Sequence, residues 1–180
     1  DIVGHITMEE VVDAVEKTYK DFAEGKTANP PKLGLDLGES GIWPNYNAFM
    51  NAMPAYIGWL DIAGLKWAGG FWDNVGRGLP SISAIILLID PRTGIFKAVM
   101  GGAYITALRT GAETAVGAKY LACRDSKIVG IYGAGTQSRF QALALDKVMK
   151  MDKIKIYDIR REAVKKYVED MSNKIDAEIV

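Results

Sequence analysis

The residues whose chemistry is easiest to read are the glycine turn Gly133-Ala134-Gly135-Thr136-Gln137-Ser138 and the acid Asp158. Gly133 permits a tight turn, and Gly135 lets a backbone approach a pyrophosphate with no Cβ in the way. Ser138, at the third position, is small enough for close helix–strand packing. A helix opening at this turn presents unpaired N–H groups and its positive dipole end to phosphates. Asp158 follows at about the 20-residue spacing at which a carboxylate accepts both ribose hydroxyls of NAD. It would also repel a 2′-phosphate, whereas Arg160 or Arg161 just beyond it could hold one. NAD is therefore the expected cofactor, with NADP possible. The competing reading is a glycine turn in an ordinary α/β sheet, with both arginines on a solvated helix start.

Two cations elsewhere suit work on a carboxylate or carbonyl. Lys66 sits in the strand-like run Leu65-Lys66-Trp67, where a desolvated ammonium can polarise a carbonyl or hold a carboxylate. Its other reading is a lysine on a solvated face. Arg109 falls in the first turns of an expected helix and can fork onto a carboxylate. Its other reading is an ion pair with Glu113, four residues on. Metal and thiol chemistry find little here. One histidine, His5, argues against a histidine metal site or a Ser-His-Asp triad. One cysteine, Cys123, excludes an intrachain disulfide and a cysteine zinc cluster, and is expected as a buried core thiol.

The elements that must position these residues read as follows. Thr7 and Glu10 form a capping box opening a helix to residue 24, with Val11, Val15, Tyr19 and Phe22 along one face packing on a sheet, and Gly25 ending it. Residues 26–54 are rich in Gly, Pro and Asn and predict short irregular strands at 32–37 and 46–53. Ile82 to Ile89 is a nearly continuous apolar run, expected as a strand buried on both faces. Pro91-Arg92-Thr93-Gly94 turns it into a returning strand, in a mixed and largely antiparallel sheet. A helix over 104–122 carries Thr106, Arg109, Thr110 and Glu113 on one side and Ala112, Ala115, Val116 and Tyr120 on the packed side. Then come strand 128–132 (also expected to be buried on both faces), the glycine turn, a helix, strand 154–157, Asp158, a helix from 162 to 173 and a short strand at 177–180. That is the order of a dinucleotide-binding βαβ unit. Two and a half strands cannot close a doubly wound sheet, so a piece of a longer protein is expected.

Composition narrows the class. Hydrophobic residues make up 49% and charged residues 24%, with acids and bases equal in number, as in a soluble globular chain. Zero net charge and the lack of a basic run leave no footprint for nucleic acid. No apolar stretch reaches the ~18 residues of a membrane span, and a cytoplasmic location is expected.

The segments ITALRTGAETAVGAKYLA (105–122) and VGIYGAGTQS (129–138) closely resemble the ornithine cyclodeaminase/mu-crystallin family, which includes an archaeal-type alanine dehydrogenase. The likeness extends through NAMPAY (51–56), GLKWAGGFWDN (64–74), GLPSI (78–82) and DPRTG (90–94). It implies a homodimer of two-domain chains. Residues 1–124 would be an α+β substrate and dimerisation domain, and 125–180 the start of an NAD(P)-binding Rossmann domain. It also implies hydride transfer at the α-carbon of an amino acid, giving an imine that is hydrolysed or cyclised with ammonia loss. By position, Lys66 and Arg109 match the family's catalytic and carboxylate-binding residues, while Thr110 and Gly133–Ser138 match cofactor contacts. The family's catalytic aspartate would lie beyond Val180, so the 180 residues alone are expected to lack activity. One departure stands out: Asn51 occupies a place where many members carry a carboxylate-clamping arginine. Asn51 and the aromatics Trp67, Phe71 and Trp72 keep a second reading open, a mu-crystallin-like protein that binds cofactor and a small ligand without relevant catalysis.

Overall fold

The structure, a computed structural model, describes residues 2–38 and 45–180. Residues 39–44 of the expected irregular stretch and Asp1 lie outside the described residues. The chain divides into two compact units, one of Thr18–Thr106 and one of Asp1–Lys17 with Ala107–Val180. Helices α1 (Met8–Ala23) and α2 (Ala103–Leu121) each belong partly to both.

Local signals set the ends of α1. The Thr7 N–H donates to Glu10 Oε2 at 2.8 Å and the Glu10 N–H returns to Thr7 Oγ1 at 3.3 Å, the reciprocal capping box. At the other end Gly25 takes φ +71°, the Gly25 N–H reaches Phe22 O, and the Lys26 N–H reaches Asp21 O at 2.8 Å. This is the Schellman pattern. The expected apolar stripe is only half right. Val11 and Val15 pack, but Tyr19 and Phe22 are exposed while Val12 and Glu16 are buried. The N-terminal half of α1 lies on other helices, not on a sheet: Val12 meets Ala112, Ala115 and Val116 of α2 and Ala144 further on. Those small residues move the buried line to Val12 and Glu16. The Glu16 carboxylate accepts from Lys119 Nζ at 2.6 Å and from the Tyr120 hydroxyl.

In the Thr18–Thr106 unit, strands β1 (Thr27–Ala28), β2 (Leu33–Asp36), β3 (Ala48–Ile57), β4 (Ile62–Phe71), β5 (Ile82–Ile89) and β6 (Phe96–Gly101) form an antiparallel sheet. The order is β1-β3-β4-β5-β6, with β2 also on β3. β3 and β4 run ten residues each, longer than their glycines and proline suggest. Pro54, with no N–H to give, falls between the stretch of β3 paired to β2 and the stretch paired to β1. The β5–β6 turn is an Asx turn, with Asp90 Oδ1 accepting the Arg92 N–H at 2.8 Å. Arg92 in turn bonds Asp61 at the β3–β4 turn. β5 is not buried on both faces: Ile82 and Ile85 are exposed. Register places Ala52, Trp67 and Ile85 in one cross-strand row and Pro54, Leu65, Leu87 and Val99 in the next, all on one face. Trp67, Ile85 and Val99 on that face are 48%, 39% and 64% exposed, so it is apolar and open.

The second unit holds a parallel sheet, β7 (Ile128–Tyr132), β8 (Lys153–Tyr157) and β9 (Glu178–Ile179), in that order. Helix α3 (Thr136–Val148) joins β7 to β8, and α4 (Arg161–Met171) joins β8 to β9. Ile131, Ile154 and Ile156 face a core with Ala142 and Leu145 of α3 and Tyr167 and Met171 of α4. The alternate residues Ile128, Tyr132 and Tyr157 are exposed, so β7 also departs from the expectation of burial on both faces. An apolar run fixes residue type; a second covered face needs a second layer. Cys123 corrects another expectation, being exposed just past the end of α2.

Candidate functional site

Parallel register sets Tyr132 beside Tyr157, so the glycine turn leaving β7 and Asp158 leaving β8 emerge together at the carboxyl ends of the strands. That edge is where doubly wound sheets bind ligands. Gly133 adopts φ +97°, a left-handed conformation that favours glycine, and its N–H donates to Tyr157 O at 2.7 Å. The Ala134 N–H donates to Asp158 Oδ2 at 2.9 Å, and Asp158 Oδ1 accepts the Arg160 N–H at 2.9 Å. These two bonds, the one from Arg160 first, hold the Asp158 carboxyl below its ordinary value. Arg160 Nε stands 3.6 Å from Asp158 Oδ1 on a largely exposed side chain.

Gly135 is the N-cap of α3 and supplies no side-chain cap, so the first-turn N–H groups of Thr136 and Gln137 face outward without one. A Cβ built on Gly133 or Gly135 would meet nothing within 4 Å, which leaves open space over the turn. Ser138 is buried, its hydroxyl donating to Gly135 O at 2.9 Å. Open space, outward N–H groups and an ionised acid beside them fit a dinucleotide pyrophosphate and ribose.

Sequence reasoning missed Arg139. Its Nη1 donates to Ala134 O at 2.6 Å and Gly135 O at 2.9 Å, and its Nη2 to Asp170 Oδ2 of α4 at 3.1 Å. The signal was available: helical side chains lean toward the N-terminus, so a long residue four places after Gly135 reaches back to the turn.

Arg109 and Thr110 lie in the same unit as the turn, on α2. Gly111 brings α2 directly onto α3, since a Cβ there would stand 2.4 Å from Phe140 O. Arg109 Nη1 pairs with Glu113 Oε2 at 3.0 Å, both side chains nearly half exposed. The i,i+4 pair is therefore formed, and its exposure leaves the guanidinium open to exchange.

Lys66 and Asn51 belong to the sheet unit. Lys66 pairs across to Met53 and Asn51 to Ala68, which makes Asn51 and Lys66 diagonal neighbours on one face, roughly 7–8 Å apart by ladder geometry. Lys66 is part-buried, and Asn51 lies over Gly34, where a Cβ would stand 3.2 Å from its Oδ1. Trp67, next in β4, points to the opposite face, and Trp72 packs on Phe49 with ring centres 6.0 Å apart. The suggested aromatic cluster is thus split.

The family model for the ornithine cyclodeaminase/mu-crystallin family matches residues 1–180. The chain belongs to this family. The alanine dehydrogenase of Archaeoglobus fulgidus is 40% identical over 163 residues, covering 91% of this chain and 48% of the relative. Among solved structures, the Thermococcus litoralis Δ1-pyrroline-2-carboxylate reductase with NADH and L-proline superposes with a TM-score of 0.89 at 40% identity, over 97% of this chain and 52% of that one. An archaeal alanine dehydrogenase dimer with bound NAD gives 0.86 at 38% identity, over 97% and 52%. The chain spans about half the length of these family members. Its parallel unit is the Rossmann-like part of the α/β fold they share. Among the described residues no helix is long and apolar enough to cross a membrane, and no cluster of His, Cys, Asp and Glu suits a metal.

Proposed function

We propose that the full-length protein transfers a hydride between NAD(P) and the α-carbon of a small amino acid, giving an imine that is hydrolysed or cyclised with loss of ammonia. The observation that carries this reading is the glycine turn held against Asp158 at the carboxyl edge of β7 and β8, its first-turn N–H groups directed outward. The dinucleotide would supply the hydride-accepting or hydride-donating group. The N–H groups of Gly135, Thr136 and Gln137 would receive its pyrophosphate, with Ser138 packing the helix start closely against the turn. Asp158 keeps lone pairs for ribose hydroxyls beside its two backbone bonds. Its charge favours NAD, and Arg160 is the residue available to a 2′-phosphate.

On the substrate side, Arg109 would exchange Glu113 for the amino-acid carboxylate, and Lys66 would hold the carboxylate or polarise the reacting carbon. Asn51 adds a hydrogen-bond donor without charge on the face of Lys66. Thr110 belongs with the cofactor contacts. The catalytic aspartate would come from beyond Val180. Residues 1–124 would serve substrate binding and dimerisation, and 125–180 would begin the nucleotide domain. The apolar open face of the antiparallel sheet is the surface two such chains would share, as expected of a homodimer. A cytoplasmic location belongs to the same reading. Asn51, an uncharged residue in the substrate clamp, favours the binding-protein alternative.

The test is substitution in the full-length protein. Lys66→Ala and Arg109→Ala should each lower turnover by about a hundred-fold or more while far-UV circular dichroism stays unchanged. Retained turnover in both variants rejects this site.

A further inference from the structure

We infer that Arg139 is a positioning residue that presets the phosphate-facing peptides of the glycine turn; the inference rests on the nucleotide reading above. The trans peptide is planar, with its C=O and N–H pointing in opposite directions. The peptide carrying Ala134 O also carries the Gly135 N–H, and the one carrying Gly135 O also carries the Thr136 N–H. One guanidinium nitrogen draws both oxygens inward, at 2.6 Å and 2.9 Å. Both N–H groups are thereby turned outward, to where an anion would sit. The Gly135 oxygen is also held by the Ser138 hydroxyl at 2.9 Å and by its place at the N-cap of α3, so the peptide that depends most on Arg139 is the one carrying Ala134 O. Left to rotate, that peptide could present its carbonyl oxygen to the phosphate.

The guanidinium is itself held from two further sides. Asp170 accepts its Nη2 at 3.1 Å, and the Tyr167 ring lies 5.0 Å from its central carbon. Tyr167 is buried, and its hydroxyl donates to Ser138 O at 3.3 Å, tying α4 to the same helix start. Asp170 neutralises the arginine in place, so Arg139 acts through the peptide planes and not as a direct phosphate ligand. A lysine ammonium lacks the planar fork whose two nitrogens divide the work here, one on the two carbonyls and the other on the carboxylate.

The test uses the full-length protein, with NADH followed by fluorescence titration and adenosine, which lacks the pyrophosphate, by NMR titration. Arg139→Gln should weaken NADH binding by about ten-fold or more. Adenosine affinity and the near-UV circular dichroism spectrum should be unchanged. Arg139→Lys should fail to restore NADH affinity. Asp170→Asn, which leaves both carbonyl contacts in place, should weaken NADH less than Arg139→Gln does. Unchanged NADH affinity in Arg139→Gln, or equal losses for NADH and adenosine, overturns the inference. Should Arg139→Gln not fold, full NADH affinity in Arg139→Lys overturns it. A wild-type protein that binds no NADH overturns the nucleotide reading itself.

Discussion

The Asp158 carboxylate anchors the turn through the Ala134 N–H, and in the proposed function it would also accept ribose hydroxyls. Because its pKa is lowered on folding, chiefly by the Arg160 N–H, its contribution is present above the ordinary carboxylate value of 3.8 and is lost only as pH falls through the depressed one. The stability difference between wild type and Asp158→Asn should therefore stay constant from about pH 8 to about pH 5 and shrink only in stronger acid. Denaturant titrations across that range test it, and a difference that fades between neutrality and about pH 5 contradicts the assignment. The residues of the turn were legible because their constraints are local: a left-handed Gly133, a small Ser138, an acid one strand on. The reach of Arg139 back to the turn was local in the same way and was overlooked, whereas its pairing with Asp170 was not legible, because only the fold of α4 brings that carboxylate near.

Helices α2 and α3 bring the Arg109–Thr110 segment and the glycine turn into one unit, and at Gly111 their backbones come into close contact. An alanine at Gly111 would drive a methyl into the Phe140 peptide, a backbone that cannot yield as a flexible side chain can. Gly111→Ala should cost about 2–3 kcal/mol in urea denaturation of the full-length protein. A loss below about 0.5 kcal/mol would mean the helices are not so close. Element order and the α1 caps were legible for the same local reasons as the turn. What the sequence could not give was which faces are covered. The apolar runs of β5 and β7 suggested two buried faces, yet Ile85, Ile128 and Tyr132 are exposed. Small residues at Ala112 and Ala115, far along the chain, chose the buried line of α1.

Across the whole molecule, the antiparallel sheet leaves Trp67, Ile85 and Val99 exposed on one face, the apolar surface on which the proposed dimer would rest. Ile85→Glu in the full-length protein should convert a dimer to a monomer in analytical ultracentrifugation, whereas an unchanged dimer would place the interface elsewhere. The Asn51–Lys66 face lies on the other side of this sheet, so the proposed dimer contact and the proposed substrate clamp would use different faces. The central claim, hydride transfer at an amino-acid α-carbon, is tested most directly by giving the full-length protein NAD and a panel of small amino acids, alanine and ornithine among them. NADH and ammonia would be followed together. The account predicts ammonia matched by NADH, or ammonia without net NADH if the imine is cyclised and the hydride returned. Silence in both channels, with NADH bound and imino acids also inert, would contradict it and leave a binding protein in its place.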